Sequence, residues 1–204
     1  MWKILSTCLA LVVLAPPVMP RLDAQAAGLT LPIRLTAFAV DMSNVGTGKS
    51  AIVEIRVTRW SSAAERQRVI QTMVDKGQDA LLKMLEKLPA KGRLRFPNWT
   101  GPDPNHLLLG WDVRYAWQSP EADGGHRVVV ALDRYMSFRE LSNQPRTVDY
   151  PFTLIEIHLN KNGEGQGKMA YATKISFDKK KNAVELENFS SEPVRLTTVK
   201  AEKG

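Results

Sequence analysis

Cysteine is nearly absent. The 204-residue chain has one, Cys8, and it lies in a segment expected to be removed. What remains has no thiol, which excludes disulfides, thiolate nucleophiles and cysteine-ligated metals. A lipid-anchoring cysteine would follow the apolar stretch of a leader. Cys8 sits early inside that stretch, after Leu5-Ser6-Thr7, so lipidation is not expected. Long hydrophobic runs are missing too. The longest, residues 4–15, falls well short of the roughly 20 residues that cross a bilayer. Histidine is scarce: His106, His126 and His158 stand far apart, without the local spacing of a metal site. No G-x-S-x-G nucleophile elbow occurs. There is no internal repeat and no low-complexity tract.

What is present begins with the leader. Lys3 gives a basic start, the apolar run follows, then Pro16-Pro17 and a closing Ala24-Gln25-Ala26. This is the order of a secretory signal peptide with an A-x-A cleavage site. The expected organisation is a signal peptide over 1–26, one α+β domain over 27–199, and a frayed polar tail over 200–204. The mature chain is expected outside the cytoplasm, in the periplasm or the medium. Loss of Lys3, Arg21 and Asp23 takes the net charge from +7 to +6.

Residues 29–41 and 51–60 read as strands; in the second, Val53, Ile55 and Val57 alternate with Glu54, Arg56 and Thr58. Ser62-Ala63-Ala64-Glu65 has the form of a capping box. A helical stripe follows on Val69, Ile70, Met73 and Val74, is broken at Gly77, resumes on Leu81, Leu82, Leu85 and Leu88, and stops at Pro89. This predicts one broken helix or two short ones, with the stripe packed on a core.

From residue 105 an antiparallel meander is expected. Trp111, Val113, Tyr115 and Trp117 share one face; Val128, Val130 and Leu132 share the inward face of the next strand. A two-residue turn at Asp123-Gly124 satisfies both alternations, sets Tyr115 against Leu132 in the core and sets Arg114 against Asp133 outside. A second hairpin uses Ile155, Ile157 and Leu159, a turn at Asn162-Gly163-Glu164-Gly165, and Met169, Tyr171, Ile175 and Phe177. A third pairs Phe177 with Val184 and so Lys174 with Glu187. Residues 135–150 read as a crossover with one helical turn. Pro193 demotes residues 194–199 to an edge strand. The fold class is therefore α+β: an antiparallel meander sheet of about seven to eight strands, curled or barrel-like, with one helical pair packed on it.

Apparent motifs dissolve on inspection. Gly46-Thr47-Gly48-Lys49-Ser50 lacks the first glycine of a phosphate loop, since Ser43 stands there, and a strand follows where a helix is required. Gly163, Gly165 and Gly167 lie between two strands, as a hairpin tip would. Asp112, Asp133, Asp149 and Glu156 form no specific acid–base pattern. Asn98-Trp99-Thr100 and Asn188-Phe189-Ser190 match the glycosylation sequon. Basic and aromatic residues interleave at Arg93–Phe96, Arg114–Trp117 and Arg134-Tyr135, as strand alternation would produce.

The candidate binding residues are Arg114 and the turn-tip run Lys179, Lys180 and Lys181, which would suit anionic glycan or lipid head groups. Export argues against nucleic acid. No cofactor, metal or catalytic residue is called for. The chain resembles a group of uncharacterised exported bacterial proteins through Arg59-Trp60-Ser61, Gly77-Gln78-Asp79-Ala80-Leu81-Leu82, Asp149–Glu156 and Gly167–Ile175, over most of residues 50–199. That resemblance implies a bacterial envelope setting and no activity. The first expectation is a non-enzymatic exported binding or accessory module. Alternatives are a barrel-like carrier of a small apolar ligand and a cell-envelope hydrolase.

Overall fold

The computed structural model describes residues 28–42, 50–97, 110–134, 152–171, 175–178, 183–186 and 194–204. The strands are β1 (Ile33–Asp41), β2 (Ser50–Val57), β3 (Gly92–Arg95), β4 (Trp111–Pro120), β5 (His126–Leu132), β6 (Thr153–Leu159), β7 (Glu164–Tyr171), β8 (Ile175–Asp178), β9 (Ala183–Leu186) and β10 (Val194–Lys203). One helix, α1 (Ala63–Leu85), lies between β2 and β3. Eight strands close into an antiparallel barrel in the order β1-β10-β7-β6-β5-β4-β3-β2, and β8–β9 form a separate two-stranded sheet. Closure leaves the barrel no edge with unpaired backbone groups.

Alternation builds the interior. Leu35 and Ala39 on β1, Val53 and Ile55 on β2, Val128, Val130 and Leu132 on β5, and Ile155, Ile157 and Leu159 on β6 are buried together. An eight-stranded barrel is just wide enough for its own side chains to fill. The expected face of Ile155, Ile157 and Leu159 is the one observed, and so is the pairing of Phe177 with Val184. Lys174, Glu187, the leader, the segment 43–49, the crossover and Pro193 lie outside the described residues.

The β4–β5 hairpin corrects the expected register. Its loop has three residues, Ala122-Asp123-Gly124. Glu121 and Gly125 close it, with Glu121 N donating to Gly125 O (2.9 Å) and Gly124 N to Glu121 O (3.1 Å). Gly124 has φ +83°, the left-handed residue that ends such a loop. Tyr115 therefore faces Ala131 rather than Leu132. A second one-residue shift follows at Arg114, where the register jumps from Tyr115↔Ala131 to Val113↔Leu132. The extra residue is a β-bulge, and it turns the strand over. Val113 and Ala116 point into the barrel, while Tyr115 and Trp117 point out toward α1. The odd-numbered face thus divides at Arg114.

The C-terminal expectations are also corrected. β10 is no edge strand: it pairs with β1 on one side and β7 on the other. Residues 200–204 do not fray, because Lys200, Glu202 and Lys203 pair with Thr36, Arg34 and Ile33, and Gly204 N reaches Pro32 O at 2.8 Å. Their polarity reflects the outer face of a barrel strand. Strand β1 likewise starts at Ile33, not at residue 29.

The helical segment is one helix with a break. Its capping box is complete: Glu65 N donates to Ser62 Oγ (3.1 Å) and Ser62 N to Glu65 Oε2 (2.8 Å). Gly77 sits at φ 78°, ψ −170°, a conformation essentially confined to glycine. Thr72 Oγ1 lies 3.3 Å from Met84 Sδ, twelve residues along. An unbroken helix would separate those positions by about 18 Å, so the two arms fold toward each other. Val74, placed on the packed stripe by periodicity, is exposed.

Two substitutions check this packing. Ile155→Ala should cost about 2–5 kcal/mol in urea unfolding, whereas Val74→Ala should change stability by less than about 0.5 kcal/mol. Gly77→Ala has open space for its methyl group, so any cost is torsional, about 1–3 kcal/mol.

Candidate functional site: a cavity between the helix and the barrel wall

Past the bulge at Arg114, β4 turns Tyr115 and Trp117 outward beside Val129 and Ala131 of β5 and Leu154 of β6, an apolar patch on the outer wall. Val69, Leu81, Leu85 and Leu88 from the α1 region pack against Tyr115, Ala131, Phe152 and Leu154. The packing is incomplete. A cavity of about 260 Å³ remains between the two layers, with Val69, Ile70 and Met73 from the first arm of α1 and Leu81 and Leu85 from the second. Trp117, Val129, Phe152 and Leu154 line the barrel side. For scale, an apolar cavity of about 150 Å³ takes up benzene.

Polar groups gather on one side. The Tyr115 ring is buried, and burial pushes its phenol well above its ordinary value; the nearby positive charges of Arg66 and Arg127 act the other way without cancelling it. Tyr115 is therefore a neutral O–H donor at physiological pH. The Arg66 guanidinium lies 5.2 Å from the centre of the Trp117 ring, within cation–π range. Arg127 Nε donates to Glu156. The cavity lining thus joins an apolar floor and roof to two guanidinium groups and a phenol.

A buried ion pair fixes the roof. Lys91 Nζ lies 2.8 Å from both carboxylate oxygens of Glu65. The same carboxylate completes the helix cap, so one side chain fastens the first turn of α1 to the entry of β3. The Arg59-Trp60-Ser61 segment ties the approach. Arg59 donates twice to Ala90 O (3.0 and 2.8 Å). Ser61 N donates to Ala116 O (2.7 Å), and its Oγ accepts from Ala116 N (3.2 Å). Ser61 thereby satisfies β4 just beyond the bulge.

Arg114, the first candidate binding residue, is not in this lining. Its Nε lies 2.7 Å from Asp133 and another nitrogen 3.4 Å from Asp112, and it donates to Leu88 O at 3.2 Å. The expected Arg114–Asp133 pair is therefore present, although the bulge rather than the expected register brings it about. Lys179, Lys180 and Lys181 lie outside the described residues, as does Asp149. The interleaved basic residues are engaged at the wall: Arg95 holds Glu54 through two contacts of 2.8 and 3.0 Å, Arg93 lies 3.5 Å from Asp112, and Arg134 stacks on Trp111 at 5.5 Å.

A second, broadly open cleft lies at the hairpin ends, beside Glu121, Asp123, His158 and Thr198. His158 Nδ1 is 2.7 Å from Glu121, and Nε2 is 3.3 Å from Glu156. Both ring nitrogens face carboxylates, and among the described residues no hydroxyl hydrogen-bonds to the ring. Among the described residues no group of side chains is placed to hold a metal ion, and no helix is long and apolar enough to cross a membrane.

Arg66, Tyr115, Trp117, Arg127 and Phe152 were not singled out by sequence reasoning as a site. A signal for the covered wall does exist: residues 128–132 are apolar without a break, as are residues 154 and 155, and strands buried on both faces read this way.

The Glu65–Lys91 pair gives a pH prediction. The Lys91 hydrogen bond is the main cause that holds the Glu65 carboxyl below its ordinary value of 4.5. A folded-state value below the unfolded one stabilises the protein fully above about 4.5, and that stability is lost as pH falls through the depressed folded value. Lys91→Met should therefore be much less stable than the native protein near neutral pH, and the gap should narrow on acidification, as read from urea midpoints across pH. Comparison with family models, with curated proteins and with solved structures finds no match for the chain.

Proposed function

We propose that this protein is an exported, non-enzymatic binding module that takes a small, largely apolar molecule into the cavity between α1 and the barrel wall. The observation that carries this reading is a partly open, mostly apolar cavity of about 260 Å³ with a few polar groups in its lining, the usual make-up of a small-molecule site. The barrel serves as a rigid scaffold, and the ligand lies outside it rather than within. This is the carrier alternative, moved to the helix–sheet interface. The hydrolase reading has less support: His158 has a carboxylate beside it in a cleft, but its second nitrogen faces Glu156 where a nucleophile or attacking water would have to sit.

Native mass spectrometry of protein purified from its own host tests the reading. The expected result is a mature chain starting near Ala27 and carrying a small non-covalent ligand. Leu81→Trp should fill the cavity and keep the circular dichroism of the barrel. It should weaken uptake of a hydrophobic fluorescent probe by about tenfold or more, the equivalent of some 1.4 kcal/mol. A ligand-free native protein that also fails to take up the probe would overturn the assignment.

A further inference from the structure

We propose that the outer face of β1, β2 and β10 docks on an anionic lipid membrane, with Phe38, Ile52 and Met42 entering the head-group layer and Arg56 and Arg195 meeting its phosphates. The proposal stands apart from the cavity reading. β1 and β2 lie halfway round the closed strand order from β5 and β6, on the wall that α1 covers, so docking there leaves the cavity side open. The apolar part of the face is contiguous. Among the described residues four large apolar side chains are exposed: Phe38, Met42, Ile52 and Val74. Val74 stands alone on α1. The other three are neighbours. Phe38 and Ile52 are direct cross-strand partners. Phe38, Val40 and Met42 form a row on the outward side of β1, since Ala37, Ala39 and Asp41 are buried. A single apolar side chain on a surface needs no explanation, whereas contiguous ones rimmed by polar residues mark an interaction site.

Charge selects the occupant. Near the start of β1 the outward positions align three arginines, because Arg93 pairs with Arg56 and Arg56 with Arg34. Like charges directly opposite in a sheet are destabilising. The ends of this row are neutralised, Arg93 by Asp112 and Arg34 by Glu202. Arg56, between them, is exposed and forms no ion pair with a described residue. The outward carboxylates of β1, β2 and β10 are Glu54 and Glu202, and each is held by an arginine, Arg95 and Arg34. Arg56 and Arg195 are the arginines left over. Arg195 is exposed and stands opposite Val40, beside the apolar row. Arg56 lies four residues along β2 from Ile52, about 13 Å. An apolar strip with surplus positive charge at its margins suits an anionic membrane: the strip enters the boundary of head groups and acyl chains, and each basic residue adds attraction to the charged surface. A second copy of the chain, docking by the same face, would bring like charge against like.

Co-sedimentation with vesicles tests the proposal, using the chain as its own host produces it. It should bind vesicles of phosphatidylglycerol and phosphatidylcholine in equal parts about tenfold or more tightly than phosphatidylcholine alone, and the difference should shrink as salt rises. Arg56→Gln combined with Arg195→Gln should weaken binding to the anionic vesicles about tenfold or more. Phe38→Ser combined with Ile52→Thr should weaken it at low and high salt alike. Val74→Ser should leave it within about twofold. Circular dichroism should show every variant folded, since all these positions are exposed. Equal binding to both kinds of vesicle, no binding to either at low salt, or binding that both double variants retain would overturn the proposal. So would a dimer, seen by analytical ultracentrifugation, that Phe38→Ser with Ile52→Thr dissolves, because the face would then belong to a second copy. Probe uptake by the cavity reports on the opposite wall, so the two readings fail separately.

Discussion

Strands β4, β5 and the start of β6 carry apolar side chains on both faces where α1 lies over them, and this constraint shapes the rest of the molecule. The inward face is satisfied by barrel closure, where Val113, Val130 and Ile155 meet side chains from every other barrel strand. The outward face would expose Tyr115, Ala131, Phe152 and Leu154 to water if nothing covered it. The α1 helix is that cover. The bulge at Arg114 is what commits β4 to both layers, since it places Val113 and Tyr115 on opposite sides although they stand two residues apart. Arg114 itself, the displaced residue, reaches Asp133 and Leu88 O and so clips the bulge to β5 and to the end of the helical segment.

The lumen of the barrel is packed with its own side chains, Leu35, Val53, Val130 and Ile155 among them, whereas the cavity lies at the helix–sheet interface. That interface leaves room because the cover is not one rigid rod. Gly77 lets the arms of α1 fold toward each other, and they are held by Glu65–Lys91 at one end and by Leu81 and Leu85 on the wall at the other. Two arms meeting at an angle leave space between themselves and the barrel wall, where Met73, Leu81 and Leu85 face Trp117 and Val129. The cavity is the geometric remainder. Surface ion pairs such as Arg34–Glu202 contribute little to stability by comparison; their service is to the register of the strands.

Much of this architecture was legible in particular residues. Ser62 and Glu65 announced the helix cap, Gly77 its break, and Ile155, Ile157 and Leu159 an inward face, because each signal is local and periodic. The Phe177–Val184 register followed from alternation alone. The bulge was not legible, since an extra residue in one strand leaves no mark on composition and even conserved the Arg114–Asp133 contact by another route. The three-residue loop ending in Gly124 shares its Asp-Gly dipeptide with the two-residue turn expected there. The role of β10 was hidden because its partners, β1 and β7, are chosen by closure and not by neighbouring sequence. The cavity is assembled from residues 66 to 154, so no short window contains it.

Closure by β10 has a kinetic side. Ile33 pairs with Lys203, and the ladder between them joins strands near opposite ends of the chain. Contacts that span so much sequence form late, because the loop entropy must be lost before the pairing rewards it. Until β10 arrives, the edges of β1 and β7 are both open, and the apolar lumen between them is accessible. A chain built this way spends its early life as an incomplete sheet whose edges invite pairing with other strands. Docking of β10 between β1 and β7 is the step that removes that hazard.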